Sequence, residues 1–365
     1  MRTKNFLTMA ALAGAMTLAG CTNTDEVTTE NPNFPADGVM RFTSSVEAPA
    51  TRAGLGDGTN GTTNINTKGL YLWVTPKDEA DGSQYIHKSI LLRYTKVDGW
   101  GTYTREAGVE AAETPLTLLW KNKTTMVDVV ASNFGADATQ RIELPASTNL
   151  TVYAQQLSSE TVANSDYLYF KGTIDPAAKN DVTAEDGTTT YALTDGKIRL
   201  PLKHICSKLN ITLTLGNEFS MDDGLGRGAN PITAMTIEKM YNTDNFNMTT
   251  GAFLGEYKNS SNNAATTMDF NPLPTGWTPA TSATTKATAT YECILIPQTV
   301  AKGSFTVSFK IGDQPYSWTA ADKVTLESGK QYALNLTAGK DVVQTVAFTA
   351  KAWGTGETGS GLETE

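Results

Sequence analysis

The sequence predicts an all-β protein built from two β-sandwich domains in tandem. Short runs rich in Leu, Val, Ile, Tyr, Thr and Trp recur along the chain, and Gly, Asn, Asp and Pro separate them. Several of these runs alternate apolar and polar residues with period two, as half-buried strands do. The 365 residues suffice for two domains of ordinary size. Each half contains about seven short strand-like runs, the number typical of a sandwich.

The first 37 residues predict export rather than a folded core. An apolar run, Phe6–Leu18, follows two positive charges and is shorter than the roughly 20 residues that a membrane-spanning helix needs. The next residues, Leu18-Ala19-Gly20-Cys21, resemble a bacterial lipobox, which implies a lipoprotein signal peptide over 1–20 and a lipid on Cys21. An ordinary signal peptide with a chance cysteine is the alternative. Residues 21–37 are polar and acidic, and predict a tether without a core of its own.

Residues 38–52 predict a strand followed by a loop that a protease can cut. Val39 to Glu47 alternate in polarity, which is typical of a strand with one face on a core. Its large inward side chains are Met40, Phe42 and Val46. Pro49 and a Gly- and Asn-rich stretch flank the bond between Arg52 and Ala53, so this bond is predicted to lie in an exposed basic loop. An uncut loop arginine is the alternative.

The remaining elements of the first domain, 38–195, follow from the same patterns. A short helix is predicted over Tyr153–Val162, and a turn at Thr194–Gly196 marks the domain boundary. The predicted strands after the first are Leu70–Thr75, Tyr85–Tyr94, Thr102–Arg105, Leu116–Trp120, Met126–Ser132 and Tyr167–Gly172.

The second domain, 196–353, opens with a regular alternation from Lys197 to Leu215, which we interpret as the start of a new core. Its later predicted strands are Ile232–Tyr241, Ala287–Ile296, Ser304–Ile311, Tyr316–Thr319, Gln331–Leu336 and Val342–Trp353. In the last strand five apolar side chains are predicted to share one face, namely Val342, Val346, Phe348, Ala350 and Ala352. The Gly-, Thr- and Glu-rich residues 354–365 are predicted to be a flexible tail.

Charge and motif content exclude several classes of function. The net charge is −9, and removal of Arg2 and Lys4 with the signal makes it −9 − 2 = −11, which disfavours nucleic acid as a partner. The sequence has two histidines and no hydrolase, nucleotide-binding or zinc-protease motif, so it predicts no enzyme, no cofactor and no metal site. His204 is predicted to point inward with a hydrogen-bond partner. Cys206 and Cys293 could form a disulfide or remain buried thiols.

Several stretches taken together resemble the fimbrillin family of Bacteroidetes. Their order and spacing extend over nearly the whole chain. They are Leu18–Cys21, Arg41–Thr43 with Thr51–Ala53, Leu202–His204 with Ser207–Leu209, Leu295–Gln298, Gly329–Tyr332 with Leu334–Leu336, and Ala352–Gly354.

This resemblance implies a pilus subunit or tip adhesin with two transthyretin-like, Greek-key sandwiches. It implies a precursor lipidated on Cys21 in the outer membrane, then cut between Arg52 and Ala53 by a trypsin-like, Arg-specific protease. The strand Val39–Glu47 would leave, and a strand such as Val342–Trp353 from another pilus subunit would take its place in the surface fimbrium. An adhesive ligand on a host or bacterial surface is a further implied partner. A surface lipoprotein that binds glycans through its six tryptophans, without polymerising, is the alternative.

Overall fold

The predicted all-β class is confirmed. In the part of the chain that the structure describes, strands predominate, and the helices are short: α1 spans Ser159–Ser165, α2 spans Asn217–Met221, and a 3-10 turn spans Leu225–Arg227. The computed structural model describes residues 31–46, 69–76, 90–95, 99–105, 113–134, 144–221, 224–257, 264, 266–282 and 284–353.

The helix predicted over Tyr153–Val162 begins later than expected. The Ser158 side chain caps α1 by accepting the Thr161 N–H at 3.2 Å. Just before it, the buried side-chain amide of Gln156 donates to the Ile294 carbonyl at 2.6 Å and accepts the Ile294 N–H at 2.8 Å. This amide pairs with the backbone as a strand would, and it holds the residues before Ser158 out of the helix.

A ten-stranded sheet organises the first half of the chain. In chain order the strands up to residue 204 are β1 Arg41–Val46, β2 Leu70–Pro76, β3 Ile90–Thr95, β4 Gly99–Arg105, β5 Glu113–Pro115, β6 Val127–Ser132, β7 Ser147–Thr151, β8 Leu168–Ile174, β9 Val182–Thr183, β10 Thr189–Tyr191 and β11 Lys197–His204. All except β7 belong to this sheet, whose order is β1-β11-β8-β6-β2-β3-β4-β5, with β10 beside β8 and β9 beside β10. Its strands surround a core that includes the inward side chains of β1 and β11.

The second half forms two larger and two smaller sheets. Its strands are β12 Ser207–Leu215, β13 Ile232–Tyr241, β14 Thr243–Asn247, β15 Ala252–Phe253, β16 Thr267–Phe270, β17 Leu273–Thr278, β18 Thr288–Leu295, β19 Gln298–Val300, β20 Thr306–Ile311, β21 Gln314–Thr319, β22 Val324–Leu326, β23 Lys330–Ala338 and β24 Val343–Ala352. The sheet β17-β18-β12-β23-β24 and the sheet β16-β13-β20-β21 contribute to one core. The small sheets are β15-β14-β7 and β19-β22.

The predicted boundary at Thr194–Gly196 is wrong, because β11 belongs to the first sheet. β11 pairs with β1 and β8, and its Ile198 and Leu200 lie in the first core. The chain enters the second core with Cys206 and β12, so the change of sheet comes between His204 and Ser207.

Cys206 and Cys293 are free thiols in this structure, and both are buried. Desolvation is the main cause that raises the pKa of each thiol above its ordinary value. Both thiols are therefore protonated at neutral pH and belong to the packing of the second core.

A buried ion pair links the central strands of the second core. The Lys208 Nζ lies 2.9 Å from Glu292 Oε2, and the two side chains are only 4% and 3% exposed. The other carboxylate oxygen, Oε1, has no hydrogen-bond partner. A charge buried to this degree is tolerated only while its partner neutralises it.

Replacing one member of this pair should therefore destabilise the protein strongly. We expect Glu292→Leu to lower the free energy of unfolding by about 3–5 kcal/mol, because the Lys208 ammonium loses its buried carboxylate. The double variant Lys208→Met/Glu292→Leu should recover most of this loss. Urea unfolding measures both, with Glu185→Leu in an exposed loop as the control. A single variant as stable as the control would contradict the expectation.

Candidate strand-exchange site

The first strand is held along both of its edges. β1 pairs in parallel with β11 over six residues, from Arg41 opposite Lys197 to Val46 opposite Leu202. Immediately before β1, the Met40 N–H donates to the Leu118 carbonyl at 2.8 Å, and the Trp120 N–H donates to the Gly38 carbonyl at 2.8 Å. The strand predicted over Leu116–Trp120 is thus reduced to this short antiparallel contact. We call the space between β11 and residues 118–120 the β1 groove.

The side chains of this segment alternate as the sequence predicts. Met40, Phe42 and Val46 are 2%, 3% and 7% exposed and lie in the first core, whereas Arg41 and Ser45 are exposed. Burying each large apolar side chain contributes about 1.5–3 kcal/mol, so the three together contribute roughly 5–9 kcal/mol. A whole domain is stable by only about 5–15 kcal/mol, so the first core depends on a strand in this groove.

Part of the predicted tether, 21–37, packs on the body, so the prediction is wrong for its last residues. The buried Asn31 side chain donates to the Pro176 carbonyl at 3.1 Å and to the Ala178 carbonyl at 2.7 Å. Phe34 packs against Trp120, with ring centroids 6.1 Å apart. These contacts join residues distant in sequence, which explains why local composition did not reveal them. All of the described residues before and within the first strand, 31–46, are therefore docked on the body, and we call them the docked segment.

A turn connects the docked tether to β1. Gly38 has φ +66°, a left-handed conformation that glycine adopts without strain, and its N–H donates to the Pro35 carbonyl at 2.9 Å. The Arg41 guanidinium donates to both carboxylate oxygens of Asp37, and the Val39 N–H donates to one of them. These bonds, that of Arg41 first, lower the pKa of Asp37 from 3.8 to about 2. The contribution of this exposed pair is thus present above about pH 4 and is lost as the pH falls through about 2.

Three predicted site residues, Cys21, Arg52 and Ala53, lie outside the described residues, as do residues 354–365. The last described residue of the first strand is Val46, six positions before Arg52. The predicted lipid site and cut therefore stay predictions.

The candidate donor strand lies at a sheet edge. Among the described strands, β24 pairs with β23 alone, from Val343 opposite Ala338 to Ala352 opposite Lys330. Its Phe348 lies 5.9 Å from Phe305 and 6.0 Å from Tyr332 between ring centroids, so the strand covers one margin of the second core. An edge strand can leave without breaking a ladder on a second side.

A bulge in β24 divides the face that the sequence predicts. Thr345 pairs with Leu336 and Ala347 pairs with Asn335, which leaves Val346 as an extra residue. Phe348 and Ala350 pack against the core, and Ala352 is half-buried, but Val346 is 69% exposed and Val342, just before the strand, is 52% exposed. The prediction that Val342 and Val346 share the inward face is therefore wrong for this structure.

The end of β24 is fixed by a contact that sequence reasoning missed. Trp353 is 6% exposed, and its ring stacks on that of His204 with centroids 3.9 Å apart. Its backbone N–H donates to the Gly329 carbonyl at 2.6 Å. The predicted inward position of His204 is confirmed, and its partner is Asp166, 2.7 Å from Nδ1. Both His204 and Trp353 belong to motifs noted in the sequence, but nothing in those motifs indicates that the two rings meet.

The tryptophans do not form an exposed platform. All six lie in described stretches; Trp120 and Trp353 are buried, and the other four are half-buried. Of the half-buried ones, Trp100 packs against the first core, Trp277 and Trp318 pack against the second, and Trp73 packs against a smaller cluster that includes Val130 and Phe246. In the described part of the chain, no group of three or more His, Cys, Asp or Glu side chains could hold a metal ion. The described helices are all too short or too polar to cross a membrane.

Several solved structures are similar to this chain. A candidate cell adhesion protein from Bacteroides ovatus is 16% identical; the match covers 86% of this chain and 97% of that chain, with a TM-score of 0.54. A candidate cell adhesion protein from Bacteroides uniformis is also 16% identical, with 87% and 99% covered and a TM-score of 0.46. The tip fimbrial protein Mfa3 from Porphyromonas gingivalis is 8% identical, with 85% and 99% covered and a TM-score of 0.38. Comparison with curated proteins gave no match.

A family model described as fimbrillin-like matches residues 51–353, which is most of the chain. The match begins after β1 and includes every later strand described above. The family consists of structural proteins of cell-surface fimbriae rather than enzymes. The chain therefore belongs to the fimbrillin-like family and is a pilus subunit or adhesin.

Proposed function

We propose that this chain is a pilus subunit or tip adhesin that polymerises by donor-strand exchange. It is exported as a lipoprotein with its lipid on Cys21, and it reaches the outer membrane. A trypsin-like protease then cuts between Arg52 and Ala53, and the first strand leaves. The strand Val342–Trp353 of another subunit fills the vacated space, and the fimbrium grows from the cell surface.

The observation that supports this proposal is the position of β1. Met40, just before the strand, and Phe42 and Val46 within it supply three buried side chains to the first core. Among the described residues, β11 pairs with β1 over six residues and with β8 over two. Without β1, the core has an open apolar side and β11 has an unpaired edge. A strand from another subunit can satisfy both needs at once. Because each subunit would give one strand and receive another, the contact does not close on itself and yields a filament.

The family match is consistent with the proposal. It covers residues 51–353, and the predicted cut between Arg52 and Ala53 lies at the start of this range. The docked segment, 31–46, lies entirely before that point. Its contacts also predict that cleavage alone leaves the segment bound, since Asn31, Phe34 and β1 hold it without a covalent link.

Replacement of Arg52 should block maturation. In Arg52→Gln, limited trypsin treatment should no longer generate a chain that begins at Ala53, because the basic side chain that the protease recognises is gone. Arg41→Gln serves as the control, since Arg41 lies inside a paired strand and its replacement should leave the new N-terminus unchanged. N-terminal sequencing of the product measures both. Mature protein on cells that still begins at Cys21 would contradict the proposal.

Truncation of Phe42 should weaken the hold on the first strand. We expect Phe42→Ala to lower the free energy of unfolding of the uncut chain by about 3–5 kcal/mol, because it empties a position that is 3% exposed. After cleavage, the variant should also release its N-terminal segment faster in size-exclusion runs. Ser45→Ala, at an exposed position of the same strand, is the matched control. Equal stability and release in the two variants would show that β1 is not essential to the core.

A further inference from the structure

The candidate donor strand repeats the side-chain pattern of the strand that it would replace. Residues 40–46 read MRFTSSV, and residues 346–352 read VAFTAKA. Each has an apolar residue first and last, Phe third, Thr fourth and a small residue fifth. Within residues 40–46, the first, third and seventh side chains are buried, and the fifth, Ser44, is half-buried.

The bulge prevents β24 from presenting this pattern within its own subunit. Val346 is the extra residue, so it points to solvent while Phe348 packs inward. In a straight strand, side chains two positions apart share a face. Loss of the bulge would therefore align four side chains on one face, namely Val346, Phe348, Ala350 and Ala352.

We propose that β24 of a second copy of this chain enters the β1 groove in one register, with Phe348 at the position of Phe42. This inference rests on the proposed strand exchange and adds the partner and the alignment. In that register Phe348 lies beside Ile198, Ala350 takes the place of Ser44 beside Leu200, and Ala352 takes the place of Val46 beside Leu202. Val346 takes the place of Met40. The outward residues become Ala347, Thr349 and Lys351, which suit a solvent-facing side.

The fit also explains why the first strand must be cut before exchange. Val346 is smaller than Met40, and Ala352 is smaller than Val46, so the donor fills both ends of the groove less completely than β1 does. An attached β1 therefore excludes the donor. For the donor, the gain lies in the burial of Val346, which is 69% exposed at the edge of its own sheet.

Crosslinking tests the register directly. The acceptor is the full-length protein with Cys21→Ser, Phe42→Ala and Arg199→Cys, cut by trypsin, and the donor is a synthetic peptide of residues 342–353. Thr43 lies opposite Arg199, so a peptide with Thr349→Cys should form a disulfide with the acceptor under mild oxidation. Peptides with Ala347→Cys or Lys351→Cys should react several-fold less. Preferential reaction of either shifted peptide would overturn the register while leaving strand exchange intact. Absence of peptide binding, with uncut acceptor as the blank, would overturn both.

An affinity series gives a second, independent test. Phe348→Ala should weaken peptide binding at least a hundredfold, because it empties the central position of the groove. Val346→Met with Ala352→Val restores the volumes of Met40 and Val46, and should tighten binding roughly ten- to fiftyfold. The outward change Thr349→Ser is the control and should change affinity less than threefold. Fluorescence anisotropy of labelled peptides measures all three, and unchanged or weaker binding of the enlarged peptide would contradict the alignment.

Discussion

β11 has two edges, and its pairing on them is unequal. It shares two paired residues with β8 and six with β1. Its inward residues Ile198, Leu200 and Leu202 are fully buried, and this burial requires β1 on the open side of the core. β1 is therefore the edge strand on which the first sheet and its core depend. A strand must occupy the β1 groove. What the groove requires is a row of inward apolar side chains and a backbone that pairs with β11, and any strand with these two properties satisfies it.

β11, which lines the β1 groove, and β24, the proposed donor strand, are in contact at their ends. β11 ends at His204, whose ring stacks on that of Trp353 directly after β24, and an Asp166 carboxylate oxygen lies 2.7 Å from the imidazole Nδ1. The Lys208 ammonium, part of the buried ion pair, lies 6.0 Å from the Trp353 ring. A shift at the end of β11 would thus alter the packing of Trp353 by direct contact. The position of β1 is therefore connected to the end of β24 through β11 and the contact between His204 and Trp353.

The first strand could be predicted from the sequence because a period-two run without a bulge has one interpretation. The position of β24 was predicted as well, but its inward face could not be, since nothing in its alternation indicates that Val346 is an extra residue opposite Leu336 and Asn335. The boundary was misplaced because β11 and β12 both alternate regularly and no glycine or proline separates them. The sign of the change of sheet is a shift of the apolar residues from even positions, up to Leu202, to odd positions, from Leu209. The docking of Asn31 depends on carbonyls at residues 176 and 178, contacts that local composition does not encode.

The order of events in an exchange follows from where the docked segment is held most firmly. Its Asn31 end has two side-chain hydrogen bonds and an aromatic contact, whereas its Val46 end has a smaller side chain and, after a cut at Arg52, a free terminus nearby. While the chain is intact, the covalent link keeps β1 at a high effective concentration, and a second strand cannot compete. After the cut, release is easiest from Val46 towards Met40. An incoming strand in the same orientation would then pair first beside Leu202, next to His204, and advance along β11 as the old segment withdraws.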